Sequence, residues 1–139
     1  MPRVSVWLIR LALVYFGVGF TVGGLLLFNK GVPLDPQLWR LWPVHVELTL
    51  IGWTMQLVMG VAYWILPRFT GARRYGRRVW LAWAALMMLN IGVLAASLGQ
   101  VAERASPLVA VGRICQLLAA AAFAGYIWPR VKPLGSREA

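Results

Sequence analysis

The chain's single histidine, His45, lies near the start of a long apolar run that also carries Glu47 and Gln56. Ionisable side chains are costly inside a membrane span, so those that occur there are functional candidates by default. A neutral imidazole can coordinate a metal ion or a haem iron, which few other side chains can do. The residue types therefore point to metal or haem ligation at His45.

A helix through this run would gather its small and polar residues on one side. At about 100° per residue, one narrow face holds His45, Thr49, Gly52, Gln56, Met59 and Tyr63, with Gly60 at its edge. A flat macrocycle can lie close to a helix only where side chains are absent, so Gly52 is a candidate cofactor contact. Gln56, a polar residue on the same face, is a second candidate. The other interpretation is that the glycines let a neighbouring helix approach closely, as small residues do in membrane bundles.

Composition defines the class of protein. The 139 residues are 60% hydrophobic and 13% charged, with a mean hydropathy of +0.70. A soluble domain of this length could not bury so much apolar surface, whereas a protein embedded in a lipid bilayer need not. The formal charge of +10 does not indicate nucleic acid as a partner, because the basic residues cluster between apolar runs. That distribution is typical of membrane topology signals.

Four apolar segments are long enough for a hydrocarbon core that needs ~20 residues. They cover roughly residues 5–28, 41–66, 79–98 and 108–128, and the segments between them carry prolines and glycines that break helices. The predicted fold is an all-α integral membrane protein, a four-transmembrane-helix bundle. No linker leaves room for a second unit, so residues 1–139 are predicted to form one membrane domain.

The basic residues predict the orientation. They concentrate at the N-terminus, in the second loop and in the tail, namely Arg3, Arg68, Arg73, Arg74, Arg77, Arg78, Arg130, Lys132 and Arg137. The first and third loops hold only Lys30, Arg40 and Arg104. The positive-inside rule then predicts a multi-pass protein of the inner (plasma) membrane with both termini cytoplasmic.

Glu47 points away from the His45 face and needs a partner. Arg40 lies two turns earlier on the same side, and Arg113 lies six residues beyond Pro107, about 9 Å along the fourth span. At that depth Arg113 could neutralise Glu47, or hold a haem propionate through a forked hydrogen bond with Gln116 in support. The remaining alternative is that Arg113 extends to the headgroups.

A family resemblance lies in the stretch from Arg40 to Arg68, RLWPVHVELTLIGWTMQLVMGVAYWILPR. It resembles the second transmembrane helix of the catalytic subunit of haem–copper oxidases, closest to the branch of nitric-oxide reductases and b-type oxidases. Trp80, Trp83 and Asn90 loosely fit the family's third helix. The resemblance covers roughly residues 40–96 and implies a truncated, four-helix relative.

By this resemblance, His45 corresponds to an axial ligand of the family's low-spin, electron-transferring haem. The implied cofactor is a non-covalent haem b, and the chain has no Cys-x-x-Cys-His motif for covalent attachment; Cys115 is its one cysteine. The family's copper and active-site haem need further histidines, which this sequence lacks. We therefore expect no copper, and no copper-dependent oxygen reduction by this chain alone.

The second axial position has no obvious occupant at the depth of His45. The haem is expected to be five-coordinate with an open position, or bridged to His45 of a second copy, because a two-fold interface repeats the same residue across its axis. Gly19 and Gly23 form a small-xxx-small motif. This motif supplies one candidate surface for a homodimer, or it packs within the monomer.

Two classes of function follow. The first is a small b-type haem protein for electron transfer or for binding a diatomic gas (NO, O2 or CO), as a homodimer or in a larger respiratory membrane complex. The alternative is a non-catalytic membrane subunit or assembly partner, in which His45, Glu47 and Arg113 form a structural polar network. Acid–base catalysis is not favoured, because paired carboxylates, a second imidazole and a serine-nucleophile motif are lacking.

Overall fold

The computed structural model describes residues 1–67, 75–76, 78–102 and 107–131, and within these ranges the chain is helical without strands. Four helices are long and apolar enough to cross a membrane: α1 (Arg3–Gly31), α2 (Pro36–Ile65), α3 (Val79–Ala102) and α4 (Pro107–Arg130). The four predicted spans are confirmed as helices; α2 begins earlier than predicted, at Pro36. The topology residues Arg68, Arg73, Arg74, Arg77, Arg104, Lys132 and Arg137 lie outside the described residues.

Helices α3 and α4 pack as a close antiparallel pair because glycines remove the side chains at their interface. A Cβ atom added at Gly112 would lie 2.7 Å from the Ala96 nitrogen, and one added at Gly99 would lie 2.9 Å from the Val109 nitrogen. Neither position could hold a larger residue without separating the backbones. This is the way small residues bring membrane helices together.

Helix α1 packs along α2, also antiparallel, and it covers the face of α2 that carries His45. Buried polar groups join the two helices: Ser5 Oγ donates to the Gly60 carbonyl at 2.7 Å, and Gln56 Nε2 donates to the Leu8 carbonyl at 3.3 Å. Because these side chains lie among apolar residues, each bond removes the cost of burying an unpaired polar atom.

Helix α2 is not a uniform α-helix. It begins with a 3-10 segment (Pro36–Leu41), continues as α-helix (Trp42–Val46), widens to a π-helix (Glu47–Met55) and returns to α-helix (Gln56–Ile65). The π turn is visible in the side chain of Thr54, which donates to the Thr49 carbonyl five residues earlier at 2.9 Å. Such turns are rare, and they are frequent at functional sites.

Gly60 also meets α1, although regular α-helical spacing leaves it at the edge of the His45 face. An added Cβ at Gly60 would lie 2.9 Å from Ile9 Cγ1 and 3.0 Å from Leu8 Cβ. The predicted common face is thus retained, with Gly60 in it.

The buried core lies in two clusters. The larger joins all four helices at one end of the bundle and includes Leu8, Tyr63, Leu89 and Phe123. The smaller lies at the other end, among α1, α2 and α3, and comprises Tyr15, Val44, Leu48 and Val93. Large apolar side chains also cover the outside, which suits a surface that faces lipid.

From the sequence, Arg130 is one of the basic residues that indicate topology, but the structure buries its side chain. The side chain is only 1% exposed, and its guanidinium donates to the carbonyls of Tyr63 at 2.9 Å, Leu66 at 2.7 Å and Pro67 at 3.0 Å. The Tyr63 carbonyl is one that the last turn of α2 leaves without a helical partner, and the Leu66 and Pro67 carbonyls follow directly after the helix. Arg130 therefore caps α2, and the partial negative charge of the helix end stabilises the cation.

Candidate functional site

His45 lies half-buried against α1, in the short α-helical segment just before the π-helix. Its Nδ1 atom is 2.8 Å from the Gly19 carbonyl oxygen. A carbonyl oxygen only accepts hydrogen bonds, so Nδ1 must carry the hydrogen and donate it. In the neutral imidazole the lone pair then resides on Nε2. Histidines that bind metals are oriented in this same way, with the non-ligating nitrogen donating to a carbonyl or carboxylate.

Gly23 makes room for the imidazole. A Cβ atom at this position would lie 2.5 Å from Cε1 of His45 and 2.9 Å from its Nδ1, closer than any side chain allows. An added Cβ at Gly19, one turn earlier, would likewise lie 2.9 Å from Cγ2 of Thr49. Of the two uses predicted for the Gly19 and Gly23 motif, the structure therefore places it against α2 of the same chain.

His45 lines a cavity of about 800 Å³ between the second half of α1 and the beginning of α2. Cofactor and ligand sites are typically ~300–1,000 Å³ and mostly apolar, with a few polar groups that fix orientation. This cavity fits that description. Its walls are largely apolar, with Phe20, Leu26, Leu27, Trp39 and Trp42, and its ionisable lining residues are His45 and Lys30.

The cavity wall on α2 arises from residues three apart. Trp39 lies in the 3-10 segment, and Trp42 and His45 follow at this spacing in the α-helical segment; side chains three apart lie near one another in both kinds of helix. The Trp42 and His45 ring centroids are 5.8 Å apart, at an interplanar angle of 44°. This spacing is a sequence signal for the cavity that the single α-helical reading of α2 misses.

The wall on α1 includes Gly24, where an added Cβ would meet nothing within 4 Å. Gly24 and Gly23 thus have different roles, although they are adjacent. Gly23 is filled by the imidazole, whereas Gly24 leaves open space on the cavity side. Neither Gly23 nor Gly24 belongs to the site predicted from the sequence, because their roles depend on α1 facing the beginning of α2.

Gly52 and Gln56, predicted as cofactor contacts, lie further along α2 and do not line the cavity. An added Cβ at Gly52 would lie 2.7 Å from Cγ of Tyr15, so that ring occupies the space beside the glycine. Gln56 is fully buried and bonded to α1. The packing matches the other interpretation: Gly52 lets helix α1 approach closely, and Gln56 bonds to that same helix.

Glu47 forms a separate polar cluster with α4. The buried carboxylate, 2% exposed, accepts from Arg113 Nη1 and from Gln116 Nε2, each at 2.5 Å. Arg113 Nη1 also donates to Gln116 Oε1 at 3.0 Å. Of the partners weighed for Glu47, the structure selects Arg113. Arg113 is absent from the lining of the His45 cavity, so the two sites lie on different sides of α2.

Within the described ranges, no three His, Cys, Asp or Glu side chains lie together as a purely protein-bound metal ion requires. Cys115, partly buried in α4, has a free thiol. Three features of the described chain bear on function: the His45 imidazole, the cavity beside it and the π segment.

No protein-family model, no curated protein and no solved structure matches the chain. The resemblance of residues 40–96 to haem–copper oxidase helices therefore stays a prediction.

Proposed function

We propose that this chain is a small membrane b-type haem protein in which His45 holds the iron, and that it transfers electrons or binds a diatomic gas. One observation carries the proposal: His45 donates through Nδ1 to the Gly19 carbonyl and lines an apolar cavity of about 800 Å³. Haem brings four nitrogen ligands of its own, so a single axial imidazole is sufficient to hold it. When bound, haem supplies one-electron chemistry and a coordination position for gases.

The lining of the cavity supports a haem in three ways. Gly24 leaves an unobstructed wall, Phe20, Trp39 and Trp42 offer aromatic surface, and Lys30 offers a cation. Apart from His45, the lining residues in the described part of the chain include none that commonly ligates haem. A five-coordinate iron with an open position is therefore the expected state, and an iron shared between His45 residues of two copies is its rival.

The proposed location is the inner (plasma) membrane, with both termini in the cytoplasm and the His45 cavity in the outer half of the bilayer. The motive is the concentration of basic residues at the N-terminus, in the second loop and in the tail. The lipid bilayer is then the principal surrounding, and a homodimer or a larger respiratory membrane complex is the proposed assembly.

The test is an absorption spectrum of the full-length protein purified in neutral detergent, oxidised and dithionite-reduced. We expect a Soret band that His45→Ala abolishes, while circular dichroism of the variant stays helical. His45→Gly with added imidazole should restore the band, because free imidazole can take the vacated axial position. A His45→Ala protein with unchanged haem content would refute the proposal.

The second candidate function is a non-catalytic membrane subunit or assembly partner. The observation that favours it is the Glu47, Arg113 and Gln116 cluster, which ties α2 to α4 with buried charge. If this alternative is correct, the wild-type protein binds no haem under conditions in which b-type haem proteins take up the cofactor. The same spectrum therefore separates the two functions.

A further inference from the structure

Among the described residues, Lys30 is the one lysine or arginine in the lining of the His45 cavity. The α1 wall of the cavity runs from Phe20 to Lys30, ten residues or about 15 Å along the helix axis. His45 contacts this wall near its beginning, at Gly19 and Gly23. The imidazole and the ammonium group therefore belong to opposite ends of one apolar cavity.

The cation of Lys30 is not neutralised within the described part of the chain. The described carboxylates are Asp35 and Glu47, and neither lies within ion-pair distance of Lys30. The Asp35 carboxylate instead accepts from the Gln37 backbone at 2.8 Å. Lys30 lies in the last turn of α1, where the helix dipole favours a positive charge. An exposed cation thus stands ready at the cavity end remote from His45.

We infer that Lys30 binds an acidic group on the ligand of this cavity, and that the cavity selects a flat apolar molecule with a carboxylate at one end. The inference rests on the proposed function, in which the carboxylate is a haem propionate. A carboxylate placed elsewhere would face apolar and aromatic walls, where an unpaired charge is costly. Lys30 therefore sets both the specificity and the orientation of the ligand.

This assignment replaces the one expected for Arg113. The guanidinium of Arg113 is bonded to Glu47 and Gln116 on another side of α2. Lys30 was assigned only a topological role from the sequence, because the presence of its turn in the same cavity as His45 depends on how α1 packs against α2. The cavity makes the two residues parts of one site.

The experiment compares metal-free protoporphyrin IX with its dimethyl ester, in which both carboxylates are blocked. Porphyrin fluorescence measures binding to the full-length protein in neutral detergent. Because neither probe contains iron, the contact with Lys30 is measured without the bond to His45. We expect wild type to prefer the free acid, and Lys30→Gln to lower affinity for the acid roughly threefold to tenfold while leaving the ester unchanged.

Two variants serve as controls. Arg40→Gln removes the same charge from the same end of the α1–α2 pair, but Arg40 does not line the cavity. This variant should therefore keep the preference for the acid. Lys30→Arg should keep it as well. Lys30→Gln with an undiminished preference, or with equal losses for acid and ester, would overturn the inference, as would a wild type that does not distinguish the two.

The failure of the proposed function gives a different pattern. If His45→Ala retains the Soret band while Lys30→Gln loses the preference for the acid, the axial ligand is wrong and the carboxylate contact stands. If His45→Ala loses the band while Lys30→Gln changes nothing, the ligand stands and the Lys30 contact fails. A wild type that binds neither porphyrin would overturn the cavity as a porphyrin site.

Discussion

At the scale of single residues, Gly23 of α1 provides a sharp test of the His45 site. Gly23→Ala would place a Cβ 2.5 Å from the imidazole, so the ring must move and its bond to Gly19 must break. We expect a loss of haem affinity of at least tenfold, measured by titration of the apoprotein with haem. Gly17→Ala is the matched control, because Gly17 lies on the same helix outside the cavity lining and its added Cβ meets nothing within 4 Å. Equal affinities in the two variants would contradict the orienting role of the Gly19 carbonyl.

Arg113 gives a second prediction at this scale. Arg113→Leu leaves the buried Glu47 carboxylate without its cation, which we expect to destabilise the fold by about 3 kcal/mol. Haem affinity should stay unchanged, because Arg113 does not line the cavity. Thermal unfolding followed by circular dichroism measures the first effect, and haem titration the second. Glu47→Gln in the same chain should recover much of the lost stability; a loss of haem affinity instead would restore Arg113 as a propionate anchor.

The two polar sites differ in how far sequence could predict them. Depth alone made Arg113 a candidate partner of Glu47, because the helix rise and the position of Pro107 put both side chains at one level, but it left a haem propionate and the headgroups as alternatives that the structure had to decide between. The cavity beside His45 is not readable in that way. Its wall consists of α1 residues such as Gly24 and Lys30, whose partners depend on which helix covers the beginning of α2.

At the scale of elements, the α1–α2 pair depends on glycines of α2 as much as on its polar groups. Gly52→Ala would place a Cβ 2.7 Å from the Tyr15 ring, and the ring cannot retreat without breaking its 3.0 Å bond to Asn90 Oδ1. We expect a destabilisation of about 1–3 kcal/mol, measured by thermal unfolding. Gly17→Ala is the control, because its Cβ meets nothing within 4 Å. Similar melting temperatures for the two variants would show that the close approach at Gly52 is not limiting.

The π segment is the element that a periodicity argument could not supply. Regular α-helical spacing predicted the common face of α2 correctly for His45 and Gln56, but it left Gly60 at the edge. In the structure the turns from Glu47 to Met55 are wider, and Gly60 beyond them contacts α1. The spacing of apolar residues alone does not reveal where a helix changes from α-type to π-type hydrogen bonds.

At the scale of the whole molecule, spin state and stoichiometry test the proposed haem. We expect one haem per chain, high-spin and five-coordinate, that binds carbon monoxide when reduced, because none of the described residues that line the cavity with His45 is a usual haem ligand. Optical and electron paramagnetic resonance spectra give the spin state, and haem extraction gives the ratio. A six-coordinate spectrum, insensitive to carbon monoxide, at one haem per two chains would show instead that two copies share an iron.

Orientation in the membrane is tested with single cysteines on a Cys115→Ser background. Gln37→Cys lies in the first turn of α2 on the proposed outer side, and Arg78→Cys lies before α3 on the proposed inner side. An impermeant maleimide added to whole cells should label the first and not the second, and it should label both after lysis. Labelling of Arg78→Cys in intact cells would invert the proposed topology.

The sequence by itself determined the class and the outline of this protein. Four apolar runs of sufficient length predict four helices, because backbone polar groups in lipid must be satisfied within each segment, and the structure confirms all four. The tertiary structure alone decided what surrounds His45. Residues between Phe20 and Lys30 on α1 line the cavity beside it because glycine contacts at Gly19, Gly23, Gly52 and Gly60 set the register of α1 on α2. That register is a property of two surfaces in contact, and neither surface specifies it separately.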